Sequence, residues 1–227
     1  MVKESSQRQS KSKIDLSRHS GLVKVPALER MKVSLIGAGA IGSMTCMFLA
    51  KMGIQHWQVF DEDGVSQENI ANQMYPIKSI NDFKVSALSE VVEEFSGVRI
   101  GQYVMFYTSE KLGEVVIVAT DSMESRKRVW NQFLKQPQCT HLIEARMGGL
   151  HGEVYCVTKK NKKFYEERLY DDKDVKPIKC TEKSIIYNIA GIVAMIGAAV
   201  ASIANNEKFP KEQIFDMKNM VYMTRGR

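Results

Sequence analysis

Apolar runs of strand length alternate along this chain with amphipathic stretches of helix length, which predicts a mainly parallel sheet connected through helices. The run "KVSLIG", Lys32 to Gly37, reads as the first strand, and Ala40 to Met52 as the helix behind it. "HWQVFD", His56 to Asp61, is the second strand. A helix comes next over Ile80 to Phe95, opened near Asn81 and Asp82, then a third strand over "VRIGQYVMF", Val98 to Phe106. "EVVIVAT", Glu114 to Thr120, is the fourth strand, with a helix from Met123 to Lys135 and a further strand at "THLIEA", Thr140 to Ala145. "GEVYCVT", Gly152 to Thr158, completes the series and fits an antiparallel strand. The fold class is therefore α/β, a Rossmann-like sheet with helices on both faces.

Two stretches depart from the rhythm. Residues 159–179, "KKNKKFYEERLYDDKDVKPIK", carry charges of both signs without an apolar period, and read as a long crossover loop running into Cys180. Ile185 to Ala204 is apolar for long enough to span a bilayer, but it contains Asn188 and lacks flanking aromatic belts. A helix buried in the core or at a subunit interface is the expectation, with no membrane association.

The length of 227 residues and the 44% hydrophobic content suit one sizeable core with a tail. Lys and Arg number 32 against 26 Asp and Glu, and residues 1–32 hold eight of the former against three of the latter. The surplus positive charge is thus concentrated at the N-terminus. Residues 1–17 read as a basic, flexible segment, and 18–227 as the folded domain. With the remainder near neutrality, nucleic acid is a disfavoured partner. Cys46, Cys139, Cys156 and Cys180 form no C-x-x-C pair, so neither a disulfide framework nor a paired-thiolate zinc site is signalled. No apolar leader is present, and a reducing, cytoplasmic setting is expected.

The candidate chemistry begins at "GAGAIG". Gly37, Gly39 and Gly42 form G-x-G-x-x-G between a strand and a helix, where backbone N–H groups and the helix dipole face a phosphate. Asp61 stands 19 residues past Gly42 at the end of the second strand, placed to bond ribose hydroxyls. The usual conclusion would be a dinucleotide, but His19, His56, His141 and His151 form no cluster that would serve a hydride-transfer site.

From Asp61 the chain continues as "DEDGVSQENIANQ", then Lys84 opens the next helix, and Asp121 stands after the fourth strand. This ordered set resembles the ThiF/MoeB/HesA family, prokaryotic relatives of ubiquitin-activating enzymes, over nearly the whole chain. The resemblance implies ATP-dependent adenylation of a carboxylate, typically the C-terminal glycine of a small ubiquitin-like or sulfur-carrier protein, by a homodimer. It gives Lys84 to the phosphates, Asp121 to Mg²⁺, and Asn69 and Gln73 to neutral bonds with phosphate or ribose oxygens. Arg18 falls where the family carries an arginine that reaches the partner subunit's site. Read singly, Lys84 is a solvated helix lysine and Asp121 a helix N-cap. Asn72 stands where the family usually has arginine; asparagine bonds a phosphate oxygen but supplies no charge, so either phosphate binding is weaker or another cation substitutes. Arg146 is one candidate, near the expected sheet edge, and a buried structural arginine is the equal alternative. Cys180 occupies a position where some members carry a reactive cysteine; it is either a nucleophile toward the adenylate or a packing residue. A tRNA-modifying ATP-dependent dehydratase of the same superfamily and a catalytically weak ATP-binding subunit are the alternative functions.

Overall fold

The computed structural model describes residues 14–171 and 185–226. Eight strands form one sheet in the order β3-β2-β1-β4-β5-β6-β7-β8. β1 (Lys32–Ile36), β2 (His56–Phe60), β3 (Gly101–Tyr103), β4 (Val115–Val118) and β5 (His141–Gly148) are mutually parallel. β6 (His151–Val157), β7 (Glu212–Asp216) and β8 (Val221–Arg225) continue antiparallel. The antiparallel reading of "GEVYCVT" holds.

Alternation along the interior strands sorts side chains between two apolar layers. Val33 and Leu35 of β1 and Val115 and Ile117 of β4 face one layer, completed by α1 (Val25–Arg30), α2 (Ala40–Met52), α3 (Lys84–Ser96) and α6 (Ile186–Asn205). Ile36, Val116 and Val118 face the other, filled by Val129, Trp130 and Phe133 of α4 (Met123–Lys135) and Tyr165 of α5 (Lys162–Glu166). Helices thus cover both faces.

The long apolar helix α6 packs on this first layer: Ile189, Ile192, Val193, Ile196, Ala199 and Val200 are buried, and Asn188 Nδ2 donates to Gly149 O at 3.0 Å. It is long and apolar enough to cross a membrane, and 44% of its most apolar window is buried within the protein. Leu16 lies buried against the end of α2, where a Cβ on Gly53 would approach its side chain to 2.9 Å, so folded packing begins before residue 18.

Several predicted boundaries shift, for local physical reasons. The third strand shortens to three residues, because after Tyr103 the backbone turns back, with both Asp61 N and Met105 N donating to Tyr103 O. The helix predicted from Ile80 starts at Lys84 instead: Asn81 takes a left-handed φ of 78°, Val65 N bonds Asp82 O, and Lys84 N bonds Asp63 O. The predicted loop at 159–179 opens with a 3-10 turn at Lys159–Asn161 and then α5. Short α1 and the hairpin β7–β8 are elements that the hydrophobic pattern does not predict.

Candidate active site

In a sheet of this kind the two strands whose connections leave in opposite directions open a crevice at their C-terminal ends. Here these are β1 and β4, and a cleft of about 350 Å³ lies there. Gly37, Gly39, Asp61, Gln73, Lys84 and Asp121 all line it, together with Asn72, Thr120 and Arg126.

The glycine loop divides its work. Gly37 has φ of +94°, and a Cβ there would meet Ala119 O at 2.7 Å, so the turn sits against the end of β4. Gly42 does not reach the cleft; its would-be Cβ lies 1.9 Å from Gly37 O, so the first turn of α2 rests on the loop itself. Gly39, at the start of α2, has no atom of the described residues within 4 Å of its would-be Cβ. That open face at a helix N-terminus is a cradle for an anion.

Asp61 fixes the loop from the next strand. Its Oδ2 accepts from Ala38 N at 2.6 Å and its Oδ1 from Asp63 N at 2.9 Å. Burial raises its pKa above the usual carboxylate value, against the opposing pull of the Ala38 N–H and the Lys84 charge. The Tyr75 hydroxyl donates to Ala38 O at 2.5 Å, and Met74 N to Ser43 Oγ at 3.1 Å, which clamps residues 74–75 over the loop.

Lys84 is no solvated helix lysine: it is 8% exposed, with Nζ 2.6 Å from Asp63 Oδ2 and 4.0 Å from Asp61 Oδ1. The backbone pairing of 63–65 with 81–84 that delayed α3 places it there. Asp63 is part of the motif legible in the sequence, but its pairing with Lys84 is visible only in the fold. Asp121 is not a helix cap either, since the Ser122 side chain accepts from Ser125 N and caps α4. That leaves the Asp121 carboxylate exposed at the cleft wall.

The remaining assignments spread out. Asn69 lies outside the cleft lining and accepts from Ser66 N at 3.0 Å in a capping box around the turn Gln67–Asn69. Gln73 Oε1 and Thr120 Oγ1 are buried beside the cleft without hydrogen-bond partners among the described residues. Arg18 is exposed on the turn Ser17–His19, away from its own chain's cleft. Cys180 falls outside the described residues, while Cys46, Cys139 and Cys156 are buried free thiols.

Arg146 is not at a sheet edge, because β5 is interior, between β4 and β6. It is buried and bidentate to Glu144, with Nε to Oε1 at 2.5 Å and Nη2 to Oε2 at 3.1 Å, so the structural alternative is the one realised. The cation at the cleft that sequence reasoning missed is Arg126, 7% exposed, whose Nη2 donates to Thr120 O at 2.6 Å. In "ESRKRVW" it looks like one more charge on an amphipathic helix.

The ThiF family model matches residues 12–220. The chain belongs to the ThiF family. It is 22% identical over 199 residues to the adenylyltransferase and sulfurtransferase MOCS3 of Dictyostelium discoideum, a match covering 84% of this chain and 46% of that protein. The chain therefore spans about half the length of that curated relative. Among solved structures, PaaA superposes with a TM-score of 0.71 at 18% identity, covering 88% of this chain and 73% of PaaA. E. coli MccB with AMPCPP and MccA gives a TM-score of 0.71 at 13% identity, over 89% of this chain and 65% of MccB. E. coli MccB with ATP gives 0.69 at 13% identity, over the same shares of the two chains. These likenesses extend the doubly wound architecture to this ThiF member.

Proposed function

We propose that this ThiF member is an ATP-dependent adenylyltransferase that activates the C-terminal carboxylate of a small ubiquitin-like or sulfur-carrier protein. The observation carrying this reading is the meeting, in one cleft of a ThiF-family fold, of an open glycine cradle, the Asp61–Lys84–Asp63 cluster and the exposed Asp121 carboxylate. MOCS3 is named as an adenylyltransferase and MccB is solved with AMPCPP and MccA, which supports a nucleotide and a second polypeptide as the two substrates.

The residues fit MgATP in chemical terms. Among the described residues no three His, Cys, Asp or Glu side chains cluster as a metal cage, and Mg²⁺ commonly needs only one or two carboxylates beside phosphates and water. Asp121 would hold that ion, which when bound supplies neutralisation of the triphosphate. Gly39 and the start of α2 receive phosphate oxygens. Asp61 takes the ribose hydroxyls with the lone pairs left over from Ala38 and Asp63. Lys84 turns from Asp63 to the phosphates, a short move for a flexible side chain. The substrate carboxylate, already ionised, then attacks the α-phosphorus; one P–O bond forms, the bond to pyrophosphate breaks, and no general base is required.

A homodimer is part of this reading. Ile185, Ile186 and Tyr187 at the start of α6 and Val221, Tyr222 and Met223 on β8 are exposed apolar groups suited to an interface. Sedimentation as a dimer at micromolar concentration supports it, and a monomer opposes it. A cytoplasmic location accords with the three free thiols. The activity itself is tested by exchange of labelled pyrophosphate into ATP with a small carrier protein ending in Gly-Gly; absence of carrier-dependent exchange would reject the reading.

A further inference from the structure

We propose that Glu144 is a positioning residue for the cleft, one buried carboxylate that holds the Asp121 turn through Arg126 and the segment 162–171 through Arg146 and Tyr165. It rests on the reading of Asp121 as the metal-side carboxylate and deepens it.

Glu144 lies at the centre of β5 and is fully buried, flanked along the strand by buried Leu142, Ile143, Ala145 and Arg146. A charged group persists in such a place only where partners compensate for lost hydration. Its Oε1 has Arg146 Nε at 2.5 Å and Arg126 Nε at 3.0 Å. Its Oε2 accepts from Arg146 Nη2 at 3.1 Å and from the Tyr165 hydroxyl. Oε2 thus accepts two hydrogen bonds, and Oε1 accepts one with the Arg126 guanidinium alongside it, so the carboxylate is enclosed by its own partners. Its role is to hold its neighbours.

One arm runs to the cleft. Arg126 Nη2 donates to the carbonyl of Thr120, the residue before Asp121. Arg126 Nε is close to Glu144 Oε1 but makes no hydrogen bond among the described residues, so charge rather than direction draws the guanidinium to the carboxylate. The position of the Asp121 peptide therefore depends on a cation that is ion-paired with Glu144. The other arm runs outward: Arg146 Nη1 donates to Arg168 O at 2.9 Å, and its guanidinium lies over the rings of Tyr155 and Tyr170. Lys127 pairs with Asp171 at 2.5 Å, and Trp130 Nε1 donates to Glu166 at 3.1 Å, tying the same segment to α4. Removal of the Glu144 charge leaves two buried guanidiniums without their shared counter-ion, and they separate.

The test uses Glu144→Gln, and Tyr165→Phe as the milder change that keeps both ion pairs. Backbone amide exchange is followed by mass spectrometry in the protein without nucleotide. Glu144→Gln is expected to raise exchange about tenfold in peptides covering both 119–123 and 162–171, and Tyr165→Phe about threefold in 162–171 alone, because loss of a buried network partner lowers local opening cost at every element it holds. A rise confined to 162–171 in Glu144→Gln, or wild-type exchange in that variant, overturns the proposal. Should Glu144→Gln fail to fold, Glu144→Asp, which keeps the charge but shortens its reach to both guanidiniums, decides on the same criterion. A second arm measures Mg²⁺ dependence of ATP binding by calorimetry, with half-saturating Mg²⁺ expected to rise about tenfold in Glu144→Gln while ATP affinity in EDTA changes less than about twofold. A role in stability alone would lower the melting temperature and leave that Mg²⁺ dependence at the wild-type value, which also overturns the proposal. If wild type binds no MgATP, the functional reading fails instead, and amide exchange still decides the role of Glu144.

Discussion

Two charged clusters flank the cleft, and they are built on opposite terms. On the β2 side, Lys84 stands between Asp61 and Asp63, and Asp63 has a side chain 60% exposed. On the β5 side, Glu144 is fully buried and both of its oxygens are occupied by Arg126, Arg146 and Tyr165. The first cluster has partners that water can replace, so it is free to exchange Asp63 for a phosphate. The second has nothing to exchange. A site that binds a highly charged ligand and then releases products benefits from both: a cluster that rearranges, and a wall that does not.

The largest expected effect lies where the two meet. Asp121→Ala should lower carrier-dependent pyrophosphate exchange on the order of a hundredfold or more, because the triphosphate charge is left uncompensated. Unaltered exchange in that variant would remove Asp121 from the metal side and make the comparison a purely structural one.

Next in size is Gly42→Ala, whose Cβ would fall 1.9 Å from the Gly37 carbonyl. Backbone displacement of that kind is expected to cost about 3 kcal/mol or more in chemical denaturation, the upper range for overpacking. Gly39→Ala is its counterpart: with no atom of the described residues within 4 Å, stability should stay within about 0.5 kcal/mol while nucleotide affinity falls, since the methyl group occupies the cradle. Equal stability losses in the two variants would contradict the division of labour within the loop.

The exchangeable cluster should also show in pH. Burial raises the Asp61 pKa above 3.8, so on acidification its carboxylate is protonated earlier than an ordinary aspartate. Nucleotide affinity, which needs the charged form, should fall with pH at values above 3.8, and Asp61→Asn should flatten that profile in calorimetry. Folding responds with the opposite sign. Between the ordinary value and the raised one the unfolded chain has released a proton that the native protein retains, so this group's contribution to stability decreases as pH rises through that window. A fall in stability on acidification that disappears in Asp61→Asn would contradict the assignment.

How much of this was legible in the sequence depends on the kind of signal each part leaves. Interior parallel strands are apolar on both faces, so β4 stood out as an uninterrupted run, and β1 and β2 as apolar runs broken only by Ser34 and Gln58. β3 is an edge strand, and its apolar continuation Val104–Met105–Phe106 is exposed, which made the run look three times longer than the ladder it forms. The β7–β8 hairpin left little pattern: every residue of β8 is exposed, and its turn runs through Met220 at a φ of 52°. Within the site, the glycines, Asp61, Lys84 and Asp121 were legible because motif order places them at successive strand ends and, for Lys84, at the start of α3. The Glu144 cluster was not, because Arg126 and Tyr165 are charges and rings on helices that carry many. One trace was available: a glutamate in the middle of "HLIEA" is a charge in a run otherwise bound for the interior, and such a group requires a partner.

The central claim, that this cleft is built for MgATP, is tested most directly by nucleotide-selective thermal stabilisation. At a nucleotide concentration a hundredfold above Kd, binding adds about 2.7 kcal/mol to stability. The account predicts such a shift with MgATP or MgAMPCPP, a much smaller one in Lys84→Ala, and none with NAD. Stabilisation by NAD with no response to MgATP would contradict it.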